Sequence, residues 1–234
     1  MAGTINALFA ATVAFVAAHF LLSSRPLRGP LVAMLGEGGF RTAYSIVGLA
    51  TFGWMVSAFG DAPRVEIWGP SPLLRWFPVL VMPIACILVV AGLTTPSLTA
   101  MGGERGAIVG GPQNPAPGIV SITRHPALWG FVLWALSHLT VNGDLASIIL
   151  MGGILILCGG GMAHIDLRRE AVLGAAWGPT RMTTSALPFA AILSGRTHFD
   201  WKGIGWQRPA GGLVLYAVLF LAHPWIAGAS ALPL

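Results

Sequence analysis

The chain of 234 residues is 55% hydrophobic and only 9% charged, with a mean hydropathy of +0.77. An ordinary soluble domain is about a quarter charged, so this balance excludes that class and points to helices in a lipid bilayer. The net charge of +5 is spread between apolar runs without a dense basic cluster, which excludes nucleic-acid binding.

A bilayer-crossing helix needs about 20 mostly apolar residues. Six stretches qualify in chain order: 3–22, 42–59, 73–93, 126–141, 145–163 and 211–227. The first is stopped by Ser-Ser-Arg-Pro, and the third contains Pro78 and Pro83. The fourth opens at Pro126, which suits a first helical position because its missing N–H costs nothing there. It closes on Asn142-Gly143-Asp144, with Asp144 placed to cap the fifth. The predicted fold class is an all-α integral membrane protein, one domain over 1–234 with about six transmembrane helices. Residues 94–118 read as a loop. Its Gly-rich part, 101–112, lacks the Gly-Lys-Ser/Thr ending of a phosphate loop and reads as flexible. The polar segment 164–210 holds a predicted interfacial helix around Asp166–Ala176. No Lys or Arg precedes Arg25, so the first stretch reads as a retained helix rather than a cleaved signal. Cys86 and Cys158, both inside apolar runs, read as small buried hydrophobes.

Basic residues set the topology. Eleven lie in the connections after spans one, three and five, and only Arg64 and Arg75 lie on the other side. The positive-inside rule therefore predicts a multi-pass protein of the inner (plasma) membrane with both termini outside the cytoplasm.

Six histidines are the chemical anomaly of so apolar a chain. His19, His125 and His164 fall at the predicted cytoplasmic level. His138 and His223 share the outer half and can face each other across the bundle. His125 and His138 are thirteen residues apart, roughly 20 Å along a helix, so they cannot share one metal ion. No CxxC, HExxH or G-x-S-x-G is present, which excludes a closed zinc site, a zincin and an elbow hydrolase. Histidines on different helices of an apolar bundle suit bis-histidine haem ligation. Trp129, Phe131 and Trp134 are placed to line such a pocket. The alternative is that each histidine merely hydrogen-bonds a neighbouring helix. His125 and His198 read as polar-surface residues. Arg124 reads as a contact to lipid phosphate, and Asp166, Arg168 and Arg169 as an interfacial charge cluster.

The stretches GEGGFRTAYSIVGL (36–49), SITRHP (121–126), LWALSHLTVNGDLAS (133–147), SALPFAAILSGR (185–196) and AHP (222–224) resemble the NnrU family of bacterial membrane proteins. The same motifs are similar to 15-cis-ζ-carotene isomerase of plants and cyanobacteria, in the same superfamily. The resemblance implies a haem b protein whose axial ligands fall on His19, in AAHFLLS, and His138, in LWALSH. The chain departs from the isomerase pattern at Cys158, where the isomerase carries a histidine.

Two functions follow as expectations. An NnrU-type protein would bind haem and be accessory to nitrite and nitric oxide reduction, partnering a nitrogen-oxide reductase system. An isomerase would take an apolar polyene from the bilayer into a haem pocket lined by Trp129, Phe131 and Trp134. A structural membrane protein without cofactor is the third reading.

Overall fold

A computed structural model describes residues 3–69, 71–100 and 114–232. The Gly-rich stretch 101–112 read as a flexible loop lies outside the described residues. Six long or medium helices dominate: α1 (Ile5–Ser23), α2 (Arg25–Asp61), α3 (Trp76–Thr94), α4 (Pro126–Leu139), α5 (Leu145–Leu173) and, near the C-terminus, α9 (Gln207–Ala227). Between α5 and α9 lie three short helices, α6 (Gly178–Thr183), α7 (Ala190–Leu193) and α8 (Trp201–Ile204). No β-strand occurs among the described residues. Five helices are long and apolar enough to cross a membrane, and α4 is a shorter apolar one of 14 residues. The all-α membrane bundle stands.

Local chemistry explains the boundaries. Thr4 Oγ1 accepts the Ala7 N–H at 3.0 Å and starts α1. Pro26 sits in the first turn of α2, directly after the extended Ser24. Pro126 is the first residue of α4. Asp144 caps α5, accepting the Ser147 N–H at 3.0 Å and the Ser147 hydroxyl at 2.7 Å. Two boundaries differ from expectation. The helix leading into the second span begins at Arg25 rather than 42, and Gly36, at φ 70°, breaks it into an entry segment and a crossing segment. The fifth span runs on to Leu173 without a separate interfacial helix. No glycine or proline interrupts residues 162–173, and Gly174, at φ 53°, ends the run.

The long helices stand in a row, each packed mainly on the next, in the order α2, α1, α5, α4, α3, α9. Small residues set the close approaches. A Cβ on Gly130 of α4 would sit 2.7 Å from the Ala85 carbonyl oxygen of α3, and one on Gly212 of α9 would strike the Ile87 backbone. Such contacts are the usual means of helix association in lipid. The buried core surrounds α5: Leu8, Ala11 and Phe15 from α1, Met55 from α2, Ala135 from α4, and Leu150, Ile154, Cys158 and Met162 from α5 itself. Both cysteines are buried free thiols, as expected. Large apolar side chains of the long helices, such as Leu49 (71%) and Leu80 (69%), are instead exposed on the outside of the bundle, the side suited to lipid.

The turn between α4 and α5 is tied to residues 65–68. Gly143 carbonyl accepts the Ile67 N–H at 2.8 Å, and Val65 carbonyl accepts the Leu145 N–H at 2.8 Å. A Cβ on Gly143 would collide with the Trp68 carbonyl, so only glycine fits. Burial alone would raise the Asp144 pKa, but the Ser147 hydrogen bonds and the Arg64 cation bring it below the ordinary carboxylate value. Its folded pKa is thus lower than its unfolded one. The stabilisation is complete above the unfolded value and is lost as pH falls through the lowered one. Asp144→Ala is expected to cost about 1 kcal/mol at pH 7. Melting of the detergent-solubilised protein should show that gap, and it should close below about pH 4.

Candidate functional site

His138 lies near the C-terminal end of α4 and His223 near that of α9. Their ring centroids are 6.4 Å apart with planes 24° from parallel. Each ring is oriented by the backbone. His138 Nδ1 lies 2.8 Å from the Trp134 carbonyl oxygen, and His223 Nδ1 lies 2.7 Å from that of Ala229. A carbonyl oxygen can only accept, so each Nδ1 carries a hydrogen, and an imidazole with its single hydrogen there has its lone pair on Nε2. That is the tautomer a metal ligand needs, with the second nitrogen held by a backbone acceptor.

Both imidazoles line a groove of about 400 Å³ between α3, α4 and α9. Pro78, Val79, Met82, Leu219 and Phe220 give it apolar walls, and Arg75, Asn142 and Tyr216 add polar groups. Small-molecule sites share this character, with few polar groups in an apolar cleft of about 300–1,000 Å³.

The aromatic residues expected around a pocket are placed otherwise. Trp134 packs against His138 with ring centroids 5.5 Å apart. Trp129 Nε1 donates to the Ala186 carbonyl at 2.7 Å, and Phe131 is 43% exposed on the outside of the bundle. None of the three is among the residues lining the groove. Four residues separate Trp134 from His138, which puts them on one helical face; Phe131, seven residues back, shares nearly that face but sits about 10 Å away along the axis, and Trp129, nine back, points to the opposite side.

His19 is at another interface. Its Nδ1 donates to the Phe15 carbonyl at 2.8 Å, its ring meets Tyr44 with centroids 5.6 Å apart, and it lies against Gly48 of α2. Phe20 lies beside Gly160, so His19 is level with about Gly159 of α5. Leu128 lies beside Gly161 on an antiparallel helix, so His138 is level with about Met151. Eight residues of α5 amount to roughly 12 Å of depth. The structure brings His138 to His223 and does not bring His19 to either.

A second polar centre is built where the 118–126 segment meets α5. His125 is only 3% exposed, and its Nε2 lies 3.0 Å from Asp166 Oδ1. Arg124 is 8% exposed, lies 3.5 Å from Asp166 Oδ2, and rests on the Trp177 ring. These findings correct the surface reading of His125 and the lipid-phosphate reading of Arg124. The cause is residues 184–189, which fold over the segment. Arg124 N–H donates to the Ser185 carbonyl, Thr123 hydroxyl to that of Ala186, and Phe189 N–H to that of Ile122, each at 2.8 Å. Burial pulls the Arg124 pKa down, and the Asp166 carboxylate opposes the shift. His164 ties α5 to the end of α1, with Nε2 3.2 Å from the Ser23 carbonyl oxygen. His198 is exposed, as expected. No group of three or more His, Cys, Asp or Glu side chains gathers as a metal site among the described residues.

A match to the family described as NnrU protein runs from residue 7 to residue 231. The chain belongs to the NnrU family. Two plant proteins named 15-cis-zeta-carotene isomerase, chloroplastic, are also similar to it. The Zea mays protein is 29% identical and the Arabidopsis thaliana protein 30% identical over 116 residues, 48% of this chain and 32% of each of theirs. This NnrU chain therefore spans about a third of the length of the curated relatives it matches. No solved structure matches it. The NnrU match takes in both His138 and His223 and the whole groove wall up to Ala231.

Proposed function

We propose that the groove between α3, α4 and α9 holds a haem b through His138 and His223 and admits an apolar polyene for cis–trans isomerisation. The observation that carries this reading is the pair of imidazoles on facing helices, each with Nδ1 hydrogen-bonded to a carbonyl and Nε2 left as the donor atom. Two neutral imidazoles are a sufficient axial donor set for a haem. When bound, the haem would supply an iron centre able to polarise a conjugated double bond. The protein's own residues do the rest. The Trp134 and Ala229 carbonyls hold the two rings in the ligating tautomer. Val79, Met82, Leu219 and Phe220 exclude water and receive the apolar chain. Arg75 lines the same groove and would supply a cation for the haem carboxylates. Likeness to the two plant isomerases supports the substrate class, and the apolar helices support delivery through lipid.

The test begins with the full chain expressed with ample haem, purified in mild detergent and measured by visible spectroscopy, oxidised and reduced. A Soret band is expected, followed by conversion of a 15-cis polyene by the reduced protein, read by chromatography. A band without conversion would reassign the groove to the accessory role beside nitrite and nitric oxide reduction. Absence of any band would overturn both.

A further inference from the structure

We infer that the non-spanning segment from Leu187 to Trp206 lies in the bilayer interface, with its apolar side chains among the acyl chains next to the lipid headgroups. Six large apolar residues of this segment are exposed, although none belongs to a helix long and apolar enough to cross: Leu187, Phe189, Leu193 (85%), Phe199, Trp201 and Trp206 (72%). The rings of Phe199 and Trp201 meet with centroids 6.1 Å apart. Exposed apolar surface on this scale marks a place for a partner. Indoles, apolar in body and polar at the N–H, favour the membrane–water boundary.

The depth of the segment is set by α3. That helix has 19 residues, about 28 Å of rise, which matches a hydrocarbon core of about 30 Å. Its last residue, Thr94, therefore marks one boundary of the core. The segment is pinned to the chain just before α4: Phe189 N–H donates to the Ile122 carbonyl at 2.8 Å, and Asp200 Oδ2 accepts the Gly118 N–H at 2.7 Å. Ile204 joins Ala91, Ile119 and Val120 in one buried cluster, against which Leu88 packs. Ala91 and Leu88 lie roughly 5 and 9 Å inside the Thr94 boundary. Segments lying in the membrane plane bury their apolar side by about 5–10 Å. Irregular backbone at such a depth needs its polar groups paired within the protein. Arg208 supplies much of that pairing, donating to the carbonyls of Gly203 at 3.0 Å, Ile204 at 2.7 Å and Thr94 at 3.3 Å. Arg196 does the same for the carbonyls of Met182 and Thr184. Asp200, the one carboxylate between 187 and 206, is taken up by the Gly118 and Gly203 N–H groups. Lys202 is exposed, a cation on a long apolar stem that reaches headgroup phosphates.

The test places the fluorophore NBD on Leu193→Cys and, separately, on Phe199→Cys, in the full chain carrying Cys86→Ala and Cys158→Ala. Both labelled positions are exposed, and the two native cysteines are buried, so a background that keeps them serves if the alanine one fails to fold. The protein is reconstituted in vesicles of phosphatidylcholine and phosphatidylglycerol, with iodide on both sides of the membrane. A lipid nitroxide near the glycerol end of the acyl chain should quench each label at least about twofold more than one near the methyl end, and iodide should quench weakly. The same label on Ile84→Cys, exposed at the middle of α3, should reverse the order of the two nitroxides. Trp201→Glu with Trp206→Glu should raise iodide access at both labels. Strong quenching by iodide with none by either lipid would overturn the placement and leave the segment facing water. Protection from iodide and from both lipids would overturn it in favour of a protein partner.

Discussion

His138→Ala is expected to weaken haem binding by at least about tenfold, seen as loss of the Soret band from protein purified with haem in excess. Disturbing only the groups that orient a metal-bound histidine already costs about 10–100-fold in affinity, so removing a ligand costs no less. His223→Ala should behave alike if the two rings share the iron, because they lie 6.4 Å apart in one groove. His19→Ala should leave the band within a factor of two of wild type, since His19 contacts Tyr44 and Gly48 at the α1–α2 interface. Restoring the band of His138→Ala with added imidazole would separate a missing ligand from a collapsed fold. The opposite pattern, with His19→Ala bleaching the protein and His223→Ala sparing it, would reject the pair proposed here. It would also require α1 to shift in depth against α5.

The second large effect is expected at Asp166. Asp166→Ala leaves Arg124 and His125 buried with their carboxylate removed, and the side chains of those residues are only 10% and 1% exposed. Breaking a buried pair from one side costs about 3–5 kcal/mol. Asp166 keeps some solvent contact, so the lower end, about 3 kcal/mol, is expected. Asp166→Asn should fall between, because an amide oxygen still accepts from either partner but carries no charge. Denaturation by SDS in mixed micelles measures both. The haem band of folded Asp166→Ala should be unchanged, which distinguishes this structural centre from the groove at the far end of α4. A loss under 1 kcal/mol would show that water replaces the carboxylate at little cost.

Most of the fold was legible because spans of apolar residues are long and their stops are chemically plain. α1, α3, α4 and α9 begin and end within a few residues of the hydropathic limits. The start of α2 was not legible. Arg25, Arg28, Glu37 and Arg41 depress hydropathy, yet they sit on a helix where Glu37 pairs with Arg28 and Arg41 and Arg25 donates to the Leu167 carbonyl. The meeting of His138 with His223 could be read from shared depth near the C-terminal ends of two parallel spans. The burial of His125 could not. It depends on residues 184–189, some sixty positions further on, folding over the RHP segment by backbone hydrogen bonds that leave no pattern in composition. Trp129 misled for the same reason. An indole near a histidine suits a pocket, but its N–H was already taken by the Ala186 carbonyl.

The single-file order of the six helices bears on cooperativity. Where each unit leans chiefly on its neighbour, coupling runs along a line as in stacked repeats, and the terminal units come away most cheaply. α9 is such a unit, held mainly by α3 through the close seat of Gly212 on Ile87. Lifting it forfeits one interface and leaves the packing around α5 untouched. His223 rides on that outermost helix and His138 on an inner one. A local excursion of α9, well short of global unfolding, would part the two imidazoles and unroof the groove sideways into the acyl chains. One imidazole is thus built on the packed interior and the other on the outermost helix.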